Sequence, residues 1–189
     1  AGNLVCWGYN PVGQLGDGTQ TNRSTPGSVT GLPTALSVSG GFYHTCAQTT
    51  AGGLKCWGFN ANGQVGDGTT TSRLAPVDVA NLASGVASVS AGGRHTCAVM
   101  QSGGVKCWGD NRYGQLGDGT TTDRLTPVDV SSLASGVTVI VAGSSHSCAL
   151  TVTGGVKCWG SNFAGQLGDG TRTQRTAPVD VVGLSDNVT

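Results

Sequence analysis

The chain of 189 residues contains no glutamate and only three lysines. Charged residues make up 11% of it, against about 25% in an ordinary soluble domain. Long amphipathic helices are hard to write without Glu and with little Lys, so bundles and coiled coils are excluded. All ten acidic residues are Asp, and ten Lys plus Arg balance them to a net charge of zero. That balance removes the broad positive field of a nucleic-acid binder. No apolar run approaches the roughly 18 residues that would cross a bilayer, so membrane insertion is not expected. The Gly-rich stretches are followed by no G-K-[ST], which removes the phosphate loop, and no cofactor is expected. The sequence opens on Ala1 with no initiating Met and no signal-like segment. It reads as a processed chain or a segment of a longer one.

What the sequence does have is repetition. The tripeptide Cys-Trp-Gly starts at Cys6, Cys56, Cys107 and Cys158, at intervals of 50, 51 and 51. Each copy continues as G-x-N-x-x-G-Q-[LV]-G-D-G-T, then a polar T-x-x-R segment, then a proline and a short apolar stretch such as Pro76 to Val79. A variable link leads to an apolar strand and to G-x-x-H-[TS]-C-A, for example Gly92 to Ala98. Glycine fills 33 positions, mostly at the turns between short β-like runs. One such unit cannot bury both faces of its own sheet, so units must stack. The expectation is an all-β array of β-propeller-type blades, each of about four antiparallel strands. Each Cys-Trp-Gly strand pairs with the preceding H-[TS]-C-A strand. The units are about 1–38, 39–89, 90–140 and 141–189, forming one array that is incomplete at both ends. Against a full set of repeats the missing stretch corresponds to Val139 through Val152, 14 residues, read as one strand. The array is therefore expected to be part of a larger propeller or assembly.

These residues resemble the regulator of chromosome condensation repeat family. The resemblance rests on N-x-x-G-Q-L-G-D-G-T, the downstream Pro-Val, the G-x-x-H-[TS] strand entry and the Trp-Gly that closes the hairpin. It recurs four times and covers nearly the whole chain. It implies a β-propeller, usually of seven blades, with one blade completed by both chain termini. This chain differs in having four repeats and in carrying cysteines where intracellular members usually carry aliphatic or small residues. The nuclear exchange-factor activity is not carried over with the fold.

Seven cysteines divide into three pairs and an orphan. Cys46 and Cys56, Cys97 and Cys107, and Cys148 and Cys158 are each ten residues apart around a turn. In a hairpin centred on that turn they are directly opposed, at a Cα separation that permits a disulfide. Buried free thiols are the alternative. Cys6 stays unpaired, or bridges to a missing or partner strand. Three regularly spaced disulfides imply an oxidising compartment, hence a secreted or cell-surface protein. A metal site built on His44, Cys46 and Cys56 lacks a fourth ligand and the usual zinc spacing, and is rejected.

The repeated Asp17, Asp67, Asp118 and Asp169 invite a calcium reading, but these loops lack the alternating acidic ligands. A turn closed by the Asp side chain fits better, with an Arg six residues later, at 23, 73, 124 and 175, bracing it. His44, His95 and His146 occupy one repeat position. Three equivalent histidines argue for scaffold rather than catalysis, each ring bonding a backbone group within its blade. The four tryptophans are read as packing between blades. No enzyme activity is expected.

Recognition is sought where the units differ. All six Phe and Tyr fall in two variable slots: Tyr9, Phe59, Tyr113 and Phe163 around G-x-N-x-x-G, and Phe42 and Tyr43 before the His. Arg94 takes the slot of Tyr43, Ser144 and Ser145 take the fourth-unit slots, and Arg112 adds a charge outside the repeat. Tyr and Arg on variable loops are typical interface anchors, although rings filling gaps between blades would leave the same pattern. The expected function is a non-catalytic extracellular interaction or scaffold module that binds a protein or a surface polymer. The alternative is a structural element that associates with itself, or with further repeats, through its exposed half-blades. Asn22 and Asn187 lie in glycosylation sequons, which matter only in a eukaryotic source.

Overall fold

A computed structural model describes residues 3–186 and 188. Among these there are fourteen strands and no helix. The first sheet holds two strands, β1 (Val5–Gly8) and β2 (Arg23–Ser28). Three four-stranded antiparallel sheets follow. They are β3 (Ala35–Gly40) to β6 (Arg73–Asp78), β7 (Val86–Ala91) to β10 (Arg124–Asp129), and β11 (Val137–Ala142) to β14 (Arg175–Asp180). Within each sheet the strands lie side by side in chain order. Hairpin connections alone therefore build a blade.

The first strand of each blade is innermost. β3 lies against β7, and β7 against β11. The Ser39 hydroxyl accepts the Ala91 amide at 2.9 Å, and Ser90 repeats this with Ala142 at 3.0 Å. The blades thus run over 35–78, 86–129 and 137–180, whereas a division at 39, 90 and 141 cuts the innermost strand. The pair β1–β2 matches the two outer strands of a blade. Val139 through Val152 holds most of β11 and all of β12 (His146–Thr151), two strands rather than the one expected. The stretch reads as its G-x-x-H-[TS]-C strand alone because the apolar run before it is short and partly exposed. At the other end the Val188 amide bonds to Gly154 O as Val137 does to Gly103 O.

The expected hairpin is present in each full blade. Cys46 opposes Cys56 on β4 (His44–Thr49) and β5 (Leu54–Gly58), and Cys97–Cys107 and Cys148–Cys158 repeat the register. All three pairs are disulfides with Cα atoms 4.1 Å apart. Cys6 is free and half-buried. The core lies between blades as well as within them. Cys46, Leu54 and Cys56 of the first full blade, with Leu82 of the connection that follows it, pack with Ala98 and Trp108 of the next, and a second cluster repeats the arrangement around Trp159.

Candidate functional site

The strand register decides which loops share a face. Gly40 pairs with Thr45, His44 with Gly58, and Gly58 with Arg73. The 41–43 turn and the 59–72 loop therefore leave the blade at one end of its strands. The 50–53 turn leaves at the other. Both variable slots and all four D-G-T loops lie on the first face.

The repeated Asn, Asp and Thr residues there are engaged in scaffolding. In the second unit Asn60 is buried, and its Oδ1 accepts the Val65 amide at 2.9 Å. Its Nδ2 donates to Asp67, Thr69 O and Thr71 O. Asp67 in turn accepts both the amide and the hydroxyl of Thr69 and binds Arg73 at 2.6 Å. The other three loops repeat the ion pair at 3.2, 2.8 and 2.7 Å, as expected from the six-residue spacing. Hydrogen bonds from Thr19 hold Asp17 below the usual carboxylate range, and Thr171 does the same for Asp169. Burial opposes this at Asp67 and Asp118, but the Thr and Arg donors outweigh it. The asparagine at the centre of each loop was not singled out in sequence. Its signal was the unvarying N in G-x-N-x-x-G.

The histidines depart from expectation. His44 Nε2 meets the Thr96 hydroxyl of the next blade at 2.8 Å, and His95 meets Ser147 at 2.9 Å. They bond a side chain across the seam, not backbone within the blade. Thr96 donates onward to Gln64 O at 2.8 Å, and the Trp108 indole donates to the same carbonyl at 3.0 Å. Gln115 O receives Ser147 and Trp159 in the same way. Trp57, Trp108 and Trp159 thus pack between blades, as the sequence implied, whereas Trp7 is exposed. His44 and His95 are enclosed and neutral, their pKa values lowered to about 3 by burial and then by the next histidine.

The variable residues converge on the same face. Tyr43 lies between Tyr9 and Phe59, with ring centroids 6.5 and 6.4 Å away, and Tyr113 meets Phe163 edge-on at 5.7 Å. Between the two groups is a cleft of about 280 Å³ lined by Phe42, Tyr43, Arg94, Asp110, Arg112 and Tyr113, with Gly93, Ser144 and Ser145. All eight residues singled out in sequence therefore join one contiguous surface. Tyr9, Phe42, Tyr43 and Phe163 are exposed there. Arg112 Nε donates to the buried Asp110 carboxylate at 3.0 Å, which raises the pKa of the guanidinium. Asp110 was not among the residues expected at the site. Its place in the slot held by Tyr9, Phe59 and Ser161 was the available signal. The sequon residue Asn22 uses its carbonyl to accept the Asn10 amide at 2.7 Å. Asn187 lies outside the described residues.

Models of the regulator of chromosome condensation (RCC1) repeat match residues 1–48, 52–99 and 102–150. The chain belongs to this repeat family. It is 34% identical to the ultraviolet-B receptor UVR8 of Arabidopsis thaliana, over 97% of this chain and 43% of that protein. Two crystal structures share the fold. Yeast RCC1 (Prp20), solved bound to Kap60, aligns with a TM-score of 0.82 at 22% identity, over 95% of this chain and 44% of that one. Human WBSCR16 aligns at 0.83 and 23% identity, over 97% and 53%. The RCC1-repeat chain thus spans about half the length of these proteins or less.

Proposed function

We propose that this RCC1-repeat chain is a non-catalytic interaction module of an oxidising, extracellular compartment, and that it binds a protein partner through the face carrying its variable loops. The observation that carries the reading is the division of labour on that face. His44, His95, three of the tryptophans, and the loop asparagines and aspartates are bound into seams and turns. The residues that differ between units gather around one open cleft. Exposed Tyr, Phe and Arg in a shallow cleft are the usual anchors of protein recognition. The three disulfides support the compartment.

A second reading is self-association through the open half-blade. Trp7 is 59% exposed, while Trp57, Trp108 and Trp159 are fully buried. Among the described residues β1 pairs only with β2, and its other edge lies beside a cleft of about 400 Å³ lined by Cys6, Trp7 and Val38; such edges attract strands. Two variants separate the readings in capture experiments from the native surroundings. Loss of a foreign partner by F42A/Y43A/R94A supports recognition. Loss of self-association when V5K/W7S blunts the open edge supports the second. If neither variant changes any association, both readings fail.

A further inference from the structure

We infer that the cleft selects a carboxylate, and that its occupant is an acidic segment of a protein, an Asp or Glu next to an apolar side chain. The inference rests on the binding reading of this face and names the chemistry that the face would take.

Two cations line the cleft, and they are not equivalent. Arg112 is engaged by the buried Asp110. Arg94 forms no ion pair with any carboxylate among the described residues, and it is exposed. Within the lining Arg112 and Asp110 therefore cancel, and Arg94 is left as the one charge of the cleft wall without an ion pair among the described residues. Ser144 and Ser145 beside it make no side-chain hydrogen bond among the described residues, so two hydroxyl donors accompany the guanidinium. A planar carboxylate matches the guanidinium fork.

The rest of the wall favours a protein over an acidic polysaccharide. Phe42 is 65% exposed at the edge of the cleft, which offers an apolar shelf next to the charge. The flanking rings meet one another at 55°, 74° and 86°. Rings tilted in this way give no coplanar platform for a run of sugar rings. A cleft of about 280 Å³ holds one or two side chains rather than a polymer.

The probe is a displayed library of random 12-residue peptides, panned against the chain, against R94Q and against F42A/Y43A, with melting curves to verify folding. Wild type is expected to select peptides that carry Asp or Glu beside an aromatic or aliphatic residue. A synthetic representative should bind R94Q roughly tenfold more weakly. Its Asp→Asn analogue should lose a similar factor on wild type and nothing further on R94Q. Acidic preference that persists on R94Q, or that is absent on wild type, overturns the carboxylate. If such peptides still depend on Phe42 and Tyr43, the binding face survives that failure. If F42A/Y43A selects the same peptides as wild type, the face itself fails. Arg94-dependent binding of oligogalacturonate with no peptide selected overturns the protein occupant.

Discussion

His44 and Thr96, 52 residues apart in the chain, meet side chain to side chain at 2.8 Å across the seam between two blades. Because the Thr96 hydroxyl gives its proton to Gln64 O, its oxygen accepts, and His44 Nε2 must carry the hydrogen. One hydroxyl therefore sets the tautomer of a buried imidazole and ties both blades to one carbonyl. Thr96→Val should leave the Nε2–H buried without a partner and cost about 2–3 kcal/mol in denaturant unfolding. Thr96→Ser should stay within about 1 kcal/mol of wild type. Equal stability of the two variants would mean that packing alone holds the seam.

The same histidines make stability depend on pH. Their folded pKa of about 3 lies below the unfolded value of 6.5, so the unfolded chain binds more protons between these values. Stability is complete above about pH 6.5 and falls on acidification, by roughly 2 kcal/mol per histidine at pH 5. The loop aspartates act in the same direction lower down. Their folded pKa values are depressed, so their contribution is intact above about pH 4 and disappears below it. Urea unfolding at pH 7.5 and pH 5 measures the first step. A flat profile, or a drop unchanged in H95N, would contradict it.

Peptide mapping without reduction should recover three disulfides, with Cys6 as the one free thiol or none if it bridges to another chain. Each bridge closes a short loop and contributes about 3 kcal/mol through the unfolded state. Reduction is expected to lower the melting temperature by roughly 10 °C or more. Several free thiols would remove both the bridges and the extracellular assignment.

The D-G-T loop depends on its central asparagine. Asn60→Asp removes the donors to two carbonyls and sets a second carboxylate against Asp67, so a loss of about 3 kcal/mol or more is expected. Gly66→Ala should be comparably harmful. Gly66 has φ +81°, and a methyl there would stand 2.5 Å from the Trp108 indole nitrogen. Wild-type-like melting of either variant would mean that the loop repacks.

Much of this was legible in sequence because the repeat states each relationship more than once. Spacing of ten between cysteines and of six between Asp and Arg reports local geometry, and both pairings are present. Relationships between blades were harder to see. The partner of His44 is a Thr in the following repeat, and spacing within one unit carries no trace of it. The inner strand was legible as an apolar run, but its innermost place was not, since β3 leaves Leu36 and Val38 exposed and has no clear alternation. At the candidate face the residue types were visible. The pairing of Arg112 with Asp110, which leaves Arg94 unanswered, needed coordinates.

The claim that recognition lies on the variable-loop face is tested most directly by hydrogen exchange on the chain with and without its captured partner. Slower exchange is predicted at 41–45, 92–96, 110–114 and 144–147, with β1 and the outer strands β6, β10 and β14 unchanged. Protection confined to β1 and β3, or to the outer strands, would contradict it.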